Sequence, residues 1–329
     1  MKAVVLTAYG APESLQLREV DRPAPKEGEV LVRVHATTVT AGDTELRTLR
    51  LPWLFSIPLR MWMGWSKPGT ILGMELAGVV AAVGEGVEQY QVGDAVFAAA
   101  GTGFGAYAEY ACVPTSGLIT TKPEGLGFAQ VAAVPIGGLA ALNYLRKGGV
   151  GRGKRVLIRG ASGSIGTFAV QLAKHFGAHV TGVCGPKGVA RVRQLGADEV
   201  IDYTEADFAD SGLTYDLILD VVGKMPIRRC LGALEPDGTF VRGTVPGLGE
   251  LLRALWTRVT SRQRVVLGDA GGTAEDLAFL GGLLEAGELE TVIDGRYPLE
   301  RIADAHRYVE TGHKQGNVII EVAERPPGG

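Results

Sequence analysis

The chain has 329 residues, of which 46% are apolar and 21% are charged, and its formal net charge is −3. This length exceeds what a single compact core usually holds, so we expect two domains in a globular protein. The small negative charge excludes a broad basic surface of the kind that binds nucleic acid.

The first third of the chain is predicted to form short strands separated by glycine turns. One strand covers residues 29–35, where the alternation of apolar side chains is loose, and another covers residues 76–83. Turns follow at 84–86 and 92–94, and the second turn precedes a short strand at 95–97. Short strands interrupted by glycine in this way suggest an irregular β-barrel-like domain.

From about residue 129 the pattern changes to alternating strands and helices. A short buried strand is predicted at 156–158, and apolar side chains then recur at helical spacing over 165–176, where Gly177 ends the helix. The following elements are a strand at 179–184, a helix at 189–195, and strands from 200, over 216–222 and over 239–242. This alternation predicts a doubly wound parallel sheet, so the fold class is α/β.

The last part of the chain has a different pattern again. Helices are predicted at 274–287 and 301–310, with a turn at 297–299 between them and a strand at 317–322 after them. No internal repeat is visible along the chain.

The strongest motif lies between the predicted strand at 156–158 and the helix that follows it. It reads Gly-Ala-Ser-Gly-Ser-Ile-Gly, a form of the dinucleotide fingerprint in which Ala161 replaces the usual first glycine. Gly163 would let the backbone approach a pyrophosphate, and Gly166 would let the helix pack closely on the sheet. Backbone N–H groups at the start of the helix would then bind the anion. The candidate contacts are Gly160, Ser162, Gly163, Ser164, Ile165 and Gly166; the alternative is an ordinary glycine-rich turn.

The residues after the second strand favour NADP over NAD. An NAD site usually carries Asp or Glu about 20 residues after the loop, where it binds the ribose 2′-OH. Here the strand ends at Cys184 without an acid, and Lys187 and Arg191 follow. A cation without a carboxylate suits a 2′-phosphate, so we expect NADPH as the cofactor; the alternative is that both cations are only solvated helix residues.

The ends of two further strands carry small residues. Val222 and Gly223 follow the fourth strand, and Gly243 and Thr244 follow the fifth. Ligands of open α/β sheets bind at the carboxyl ends of the strands, so these four residues are candidate cofactor contacts. Strand-ending turns explain the same glycines.

Seven segments along nearly the whole chain resemble the medium-chain dehydrogenase/reductase superfamily, in particular its zinc-independent quinone oxidoreductase-like branch. The segments are 73–79, 92–97, 105–109, 133–135, the phosphate loop with 170–174, 195–198 and 316–318. The resemblance implies a GroES-like catalytic domain made from 1–125 and 265–329, with a Rossmann NADP-binding domain of 126–264 inserted between them. It also implies an active site in the cleft between the domains, and a homodimer.

The same resemblance implies an activity and further cofactor contacts. Members of this branch reduce quinones, enones or enoyl thioesters by direct hydride transfer, so an oxidoreductase acting on a small apolar or aromatic conjugated substrate is expected. Lys187 and Tyr203 would contact the adenosine 2′-phosphate, and Asn317 would reach the cofactor from the C-terminal segment. Two alternatives stay open: a zinc-free alcohol or aldehyde oxidoreductase, and a non-catalytic NADPH-binding sensor.

Several differences from the zinc-dependent members of this superfamily predict that no metal is bound. Those members carry Gly-His-Glu where this chain has Gly-Met74-Glu, a cysteine within 38–43 where this chain has none, and a four-cysteine lobe that is missing here. The five histidines show no ligand spacing with cysteine, and we interpret them as structural or surface residues. They are His35, His175, His179, His306 and His313.

Candidate catalytic residues come from the stretch 37–43, which corresponds to the family's V-N-P-x-D segment. Thr40 stands where asparagine is common, and its hydroxyl is a candidate to bind the nicotinamide ribose or the substrate oxygen. Asp43 is a candidate orienting acceptor, and equally a helix cap. Tyr107 is a candidate proton donor, although a core aromatic residue is the favoured interpretation. Ala140 stands where relatives often have threonine near the nicotinamide, which suggests weaker polar anchoring there.

Two apolar stretches lie outside these motifs. Residues 51–65 hold three of the four tryptophans, and we expect them to form a hydrophobic lid over the substrate. The alternatives are a dimer contact, a satellite hydrophobic core or a membrane-surface role. Residues 248–266 are predicted to add a helix and an edge strand to a dimer interface. The three cysteines cannot form a disulfide framework, and we expect neither a signal peptide nor a membrane span. A cytoplasmic location is therefore predicted.

Overall fold

A computed structural model describes residues 1–49, 53–65, 68–101, 104–223, 225–244, 249, 257, 261–268 and 271–322; the side chains of 53–55 are not described. The chain divides into two compact units. One contains Met1–Ile136, Thr273–Glu285 and Ile293–Gly329, and the other contains Gly137–Gly272 and Ala286–Val292. These bounds lie near the predicted divisions, 1–125 with 265–329 and 126–264, but do not coincide with them. One reason is that a strand at Arg264–Leu267 pairs within the sheet of the second unit.

The strands and helices follow the order that the sequence suggests, with several additions. The strands are β1 Lys2–Leu6, β2 Leu15–Glu19, β3 Glu29–Val39, β4 Thr70–Ile71, β5 Glu75–Val83, β6 Ala95–Ala99, β7 Tyr110–Pro114, β8 Ile119–Thr121, β9 Arg155–Arg159, β10 His179–Cys184, β11 Glu199–Asp202, β12 Tyr215–Asp220, β13 Leu234–Arg242, β14 Arg264–Leu267, β15 Ile293–Pro298 and β16 Asn317–Glu321. The helices are α1 Ala41–Thr48, α2 Trp53–Met63, α3 Phe128–Val131, α4 Leu139–Gly148, α5 Ser164–His175, α6 Val189–Gln194, α7 Ile227–Gly232, α8 Ala274–Glu285 and α9 Ile302–Glu310.

The second unit contains the predicted doubly wound sheet. Its six strands are parallel and lie in the order β11-β10-β9-β12-β13-β14, so the order reverses at β9. The central strands are buried apolar runs, as expected for a parallel sheet that helices cover. The core on one face includes Leu157, Ile218 and Phe240. The α/β prediction is confirmed, and the strand order places a ligand at the carboxyl edge near β9.

The first unit is β-rich, as predicted. Seven strands form one sheet in the order β15-β16-β3-β5-β6-β8, with β7 paired to β3, and a smaller sheet has the order β2-β1-β4. β3 has 11 residues and pairs with β5, β7 and β16. It therefore connects the N-terminal strands to the last strand of the chain. The turn predicted at 297–299 is wrong in part, because β15 continues to Pro298 through its pairing with β16.

One helical run is apolar enough to be compared with a membrane span. Phe128–Gly148 has the required length and hydropathy, but 72% of its most apolar window is buried inside the protein. Residues 126–145 carry no charge, so composition alone does not exclude a span, contrary to the sequence-based reasoning. Burial on α5, β12 and β13 explains the apolar character of α4 in this run.

Candidate functional site

The phosphate loop connects β9 to α5 at the carboxyl edge of the parallel sheet. Gly160 has a φ of +81°, and a Cβ there would lie 2.8 Å from Val222 Cγ2. A Cβ at Gly166 would lie 2.0 Å from the Gly160 carbonyl oxygen, so only glycine lets α5 start this close to the strand. Gly163 is the N-cap of α5, and no side chain caps this end. A helix start without a side-chain cap is the kind of site at which backbone N–H groups bind anions.

The ends of β12 and β13 lie against this loop. Gly223 has a φ of +75°, and a Cβ there would lie 2.4 Å from Thr244 Oγ1. Gly243 is equally constrained, since a Cβ would lie 2.8 Å from the ring of Tyr144. The structure thus brings the two strand-end pairs together with the phosphate loop at one edge, although they are about 60 and 80 residues away from it in sequence.

The residues expected near the adenosine lie together at the end of β10. Cys184 is buried there, and its carbonyl accepts a hydrogen bond from the backbone N–H of Tyr203 at 3.1 Å. Burial and Asp202 raise the pKa of the Cys184 thiol to about 11, so it remains protonated at neutral pH. Lys187 is exposed in the turn that follows, and Tyr203 is 57% exposed. Arg191 instead lies 3.9 Å from Glu290.

Asn317, the last predicted cofactor contact, belongs to the first unit, whereas the others belong to the second. It is buried at the start of β16.

Thr40 and Asp43 form a capping box at the start of α1. The Thr40 hydroxyl accepts from the Asp43 N–H at 3.1 Å and donates to Asp43 Oδ2 at 2.6 Å, and the Thr40 N–H donates to the same oxygen at 2.9 Å. Asp43 is fully buried, and burial raises its pKa to about 6 although the hydrogen bonds from Thr40 lower it. The helix-cap interpretation of Asp43 is therefore what the geometry shows, and Thr40 is the less buried of the two.

Tyr107 lies in the core of the first unit, close behind Asp43. Its ring packs with Val4, Leu72 and the edge of His306. The hydroxyl of Tyr107 lowers the pKa of Asp43, yet neither this hydroxyl nor Asp43 Oδ1 has a partner of hydrogen-bond geometry among the described residues. Burial and the charge of Asp43 raise the pKa of Tyr107 well above its ordinary value. A phenol of this kind is a poor proton donor, as expected for a core aromatic residue.

A second buried carboxyl group was not singled out by the sequence. Glu75 begins β5; the Thr38 hydroxyl donates to its Oε1, and the Ile136 N–H donates to its Oε2 at 2.7 Å. Burial raises the pKa of Glu75 to about 8, against the lowering effect of these hydrogen bonds. Burial lowers the pKa of Lys314 to about 8, although Asp294 and Glu75 raise it. Residue spacing along the chain does not predict this cluster around Glu75, because the pairing of β3 with β5 and with β16 brings its members together.

The donor set near Thr40 does not suit zinc. Met74 Sδ lies 3.8 Å from Thr40 Oγ1, and a Cβ at Gly42 would lie 3.1 Å from that sulfur. A thioether, a hydroxyl and a largely protonated Glu75 are poor ligands for this ion. Within the described ranges, no group of three or more His, Cys, Asp or Glu side chains could hold a metal ion. His306 is buried beside Arg47, which together with burial lowers its pKa to about 3.

The apolar segment at 51–65 forms α2 in its described part. The exposed apolar side chains Ile57, Met61 and Trp62 of α2, together with Trp65 just after the helix, are here called the α2 face. Trp62 also contacts the edge of Phe104, with ring centroids 5.7 Å apart. Residues 51 and 52 lie outside the described residues. So does most of 248–266, including the predicted helix; its described end is β14, which is an edge strand as predicted.

Comparison with known proteins identifies relatives over the whole chain. The profile described as "Alcohol dehydrogenase GroES-like domain" matches residues 26–124, and the one described as "Zinc-binding dehydrogenase" matches residues 195–320. A chloroplast envelope quinone oxidoreductase homolog from Arabidopsis thaliana is 33% identical over 98% of both chains. The structure of the quinone oxidoreductase from Coxiella burnetii has a TM-score of 0.89 and 29% identity, covering 98% of this chain and 99% of that one. The structure of Escherichia coli quinone oxidoreductase in complex with NADPH has a TM-score of 0.84 and 26% identity, covering 98% and 100%.

Proposed function

Because the chain belongs to the quinone oxidoreductase-like branch of the medium-chain dehydrogenase/reductase superfamily, we propose that it reduces a quinone, an enone or a similar conjugated carbonyl compound with NADPH and without a metal ion. The observation that carries this proposal is the phosphate loop, where glycine is required at Gly160 and Gly166 and an uncapped helix start faces the carboxyl edge. When bound, NADPH supplies the hydride.

The proposed cofactor contacts divide into two groups. The phosphate loop would hold the pyrophosphate, and the pairs Val222–Gly223 and Gly243–Thr244 would line the nicotinamide half, with Asn317 as a further contact. Lys187 would hold the 2′-phosphate beside Tyr203 and Cys184. An exposed lysine at this position, with no acid at the end of β10, supports NADPH over NADH. The NADPH complex of the Escherichia coli relative agrees with this choice.

We propose Thr40 as the residue that contacts the nicotinamide ribose or the substrate oxygen. Its hydroxyl is held by Asp43, which therefore acts on the reaction by orienting Thr40. Tyr107 packs behind Asp43 and keeps the Asp43 carboxyl group away from water. The proton that completes the reduction would come from solvent, since the pKa of Tyr107 makes it a poor donor.

The absence of zinc is proposed from the donor set that Met74, Thr40 and Glu75 offer. Without a Lewis acid, an alkoxide is poorly stabilised, which disfavours simple alcohols as substrates. A conjugated acceptor needs this help less, because the negative charge spreads into an enolate or a quinol. The chemistry of the site therefore favours the conjugated class.

The same proposal includes a lid over the substrate, a surface for dimer formation and a cytoplasmic location. The α2 face would cover an apolar or aromatic substrate, and β14, as an edge strand, offers a surface for a second copy of the chain. The cysteines Cys112, Cys184 and Cys230 are free thiols, which suits a reducing compartment such as the cytoplasm.

The proposal is tested by following NADPH absorbance at 340 nm with purified, chelator-treated protein. The panel contains quinones, enones and aldehydes, and it is repeated with NADH. We expect faster oxidation of NADPH than of NADH, with conjugated acceptors ahead of aldehydes. Turnover restricted to aldehydes would indicate the alcohol/aldehyde oxidoreductase alternative. NADPH binding without turnover on the whole panel would indicate the sensor.

A further inference from the structure

Three charged residues end adjacent strands of the parallel sheet, next to the loops proposed to hold the cofactor. Arg159 ends β9, Asp220 ends β12 and Arg242 ends β13, and the strand register places Asp220 opposite both arginines. Arg159 Nη1 lies 2.9 Å from Asp220 Oδ1, and Arg242 Nη2 lies 3.7 Å from Asp220 Oδ2. Neighbours in register point to the same face of a sheet, so the three side chains form one group, here called the strand-end triad.

The strand-end triad is almost completely buried. The exposed fraction is 0% for the Asp220 side chain, 2% for Arg242 and 13% for Arg159. One carboxylate faces two guanidinium groups, so the triad carries one excess positive charge.

The triad holds the loop after β12 through both backbone polar groups of one residue, Gly223. Asp220 Oδ1 accepts from the N–H groups of Val222 and Gly223 at 3.0 and 3.1 Å. Arg242 donates through Nη1 to the Gly223 carbonyl at 2.8 Å and through Nη2 to the Met225 carbonyl at 2.7 Å. Both the N–H and the C=O of Gly223 are therefore fixed by charged partners, which form stronger hydrogen bonds than neutral ones.

The triad also connects this loop to the phosphate loop. Arg159 is the residue immediately before Gly160, and the Val221 N–H donates to the Arg159 carbonyl at 3.3 Å. Gly160 in turn packs against Val222 so closely that a Cβ would not fit between them. A change at Asp220 or Arg242 would therefore first displace the loop after β12, which is proposed to line the nicotinamide half of the cofactor.

We propose that Arg242 is a positioning residue for the nicotinamide half of the cofactor, and that the strand-end triad holds Val222, Gly223 and Met225 in register with the phosphate loop. This inference rests on the proposed function, since it requires NADPH to lie across both loops. Arg242 acts through the backbone of Gly223 and Met225 and need not touch the cofactor. The adenosine side, at Lys187 and Tyr203, receives no hydrogen bond from the triad.

The experiment measures the binding of two ligands to the Arg242→Met variant. Its side chain replaces the aliphatic part of arginine but lacks the donors and the charge. Dissociation constants are measured by calorimetric titration for NADPH and for 2′,5′-ADP, a probe that contains only the adenosine half. We expect the Kd of NADPH to rise about tenfold, or ~1.4 kcal/mol. The Kd of 2′,5′-ADP should stay within about twofold, since the loss is confined to the nicotinamide side. The Arg242→Lys variant keeps the charge and one donor group, so its Kd for NADPH should lie between those of the wild type and of Arg242→Met.

Arg155→Met is the matched control. Arg155 is the first residue of β9, at the end of the strand opposite to the phosphate loop. Its Nη2 lies 2.6 Å from Glu235 Oε1. Its two dissociation constants should equal those of the wild type. A parallel rise of both constants in Arg242→Met, or no change in either, overturns the proposal. If Arg242→Met does not fold, the same split between ligands must appear in Arg242→Lys. A wild-type protein that binds no NADPH contradicts the proposed function instead.

Discussion

Gly166 shows how one missing side chain allows the phosphate loop to form. The Gly160 carbonyl lies where a Cβ of residue 166 would be, at 2.0 Å, and backbone atoms of Ala161 lie at 2.8 Å. These neighbours are backbone of the loop itself, so they cannot rotate away. Any larger residue must push α5 away from β9 and change the direction of the N–H groups at the start of α5.

We therefore predict that Gly166→Ala destabilises the protein by ~1–3 kcal/mol, as overpacked sites do, and raises the Kd of NADPH more than tenfold. Chemical denaturation and NADPH titration measure the two effects. Gly151→Ala is the control, because a Cβ there meets nothing within 4 Å. Unchanged NADPH binding in Gly166→Ala would show that the loop does not hold the pyrophosphate.

Glu75 is the residue whose protonation should govern how stability depends on pH. Burial raises its pKa from 4.5 to about 8, so the folded protein keeps a proton that the unfolded chain releases above pH 4.5. Stability is then fully present below about pH 4.5 and decreases as pH rises to about 8. The largest slope from this one group is ~1.4 kcal/mol per pH unit.

The Glu75→Gln variant mimics the protonated acid and should lose this part of the decline. Urea denaturation of wild type and variant at several values between pH 5 and pH 8 measures the difference. The pKa of Asp43 is also raised, and its charge acts on Glu75, so the decline of wild type is compared with that of the variant and is not assigned to Glu75 alone. Glu124→Gln, at an exposed position, should follow the wild type. Parallel curves for Glu75→Gln and wild type would show that Glu75 is ionised in the folded protein.

At the scale of an element, α2 presents an apolar face that its own unit leaves uncovered. Met61 is 76% exposed, Trp62 57% and Trp65, just after the helix, 62%, which is unusual for three large apolar side chains so close together. Arg60 lies beside this face, where it donates to the Trp65 carbonyl at 3.1 Å. A lid over the substrate and a dimer contact both explain such a face. Mutation of a lid would weaken substrate binding, whereas mutation of a dimer contact would change the mass of the protein in solution.

We predict that replacing Met61 and Trp62 together by glutamine raises KM for an apolar quinone about tenfold, because the substrate loses apolar contacts. The KM for a small enone should change less, and the mass in light scattering should not change. Leu17→Gln, which alters an exposed apolar residue of β2, is the control. A halved mass with an unaltered KM would identify α2 as a dimer contact.

The helix α1 was not predicted, although its capping box was visible in part. Asp43 is predicted to be an orienting acceptor, or else a turn or helix-cap residue. The structure makes Thr40 the N-cap of α1 and Asp43 the third helical residue, which completes the capping box. The local spacing of three residues was enough to suggest this bond. The full burial of Asp43 was not foreseeable from that spacing, because Tyr107 is contributed by a distant segment.

At the scale of the whole molecule, the strands of the second unit were the more predictable part. Its central strands are buried runs, and β9 is followed by α5 with a clear apolar period, so local patterns indicate the order of elements there. In the first unit the strands pair over long distances along the chain, as β3 does with β16. Local patterns therefore predict only part of these strands, and they predict a turn where β15 ends.

The sequence by itself determined the α/β class, the phosphate loop at Gly160–Gly166 and the small residues that end β12 and β13. These features depend on local periodicity and on the backbone freedom of glycine, which neighbouring residues specify. Only the tertiary structure decided that Glu75 is buried with Thr38, and that Asp220 lies between Arg159 and Arg242. Such groups form where strand register brings together residues that are far apart in the chain, and their charges matter only because that packing excludes water.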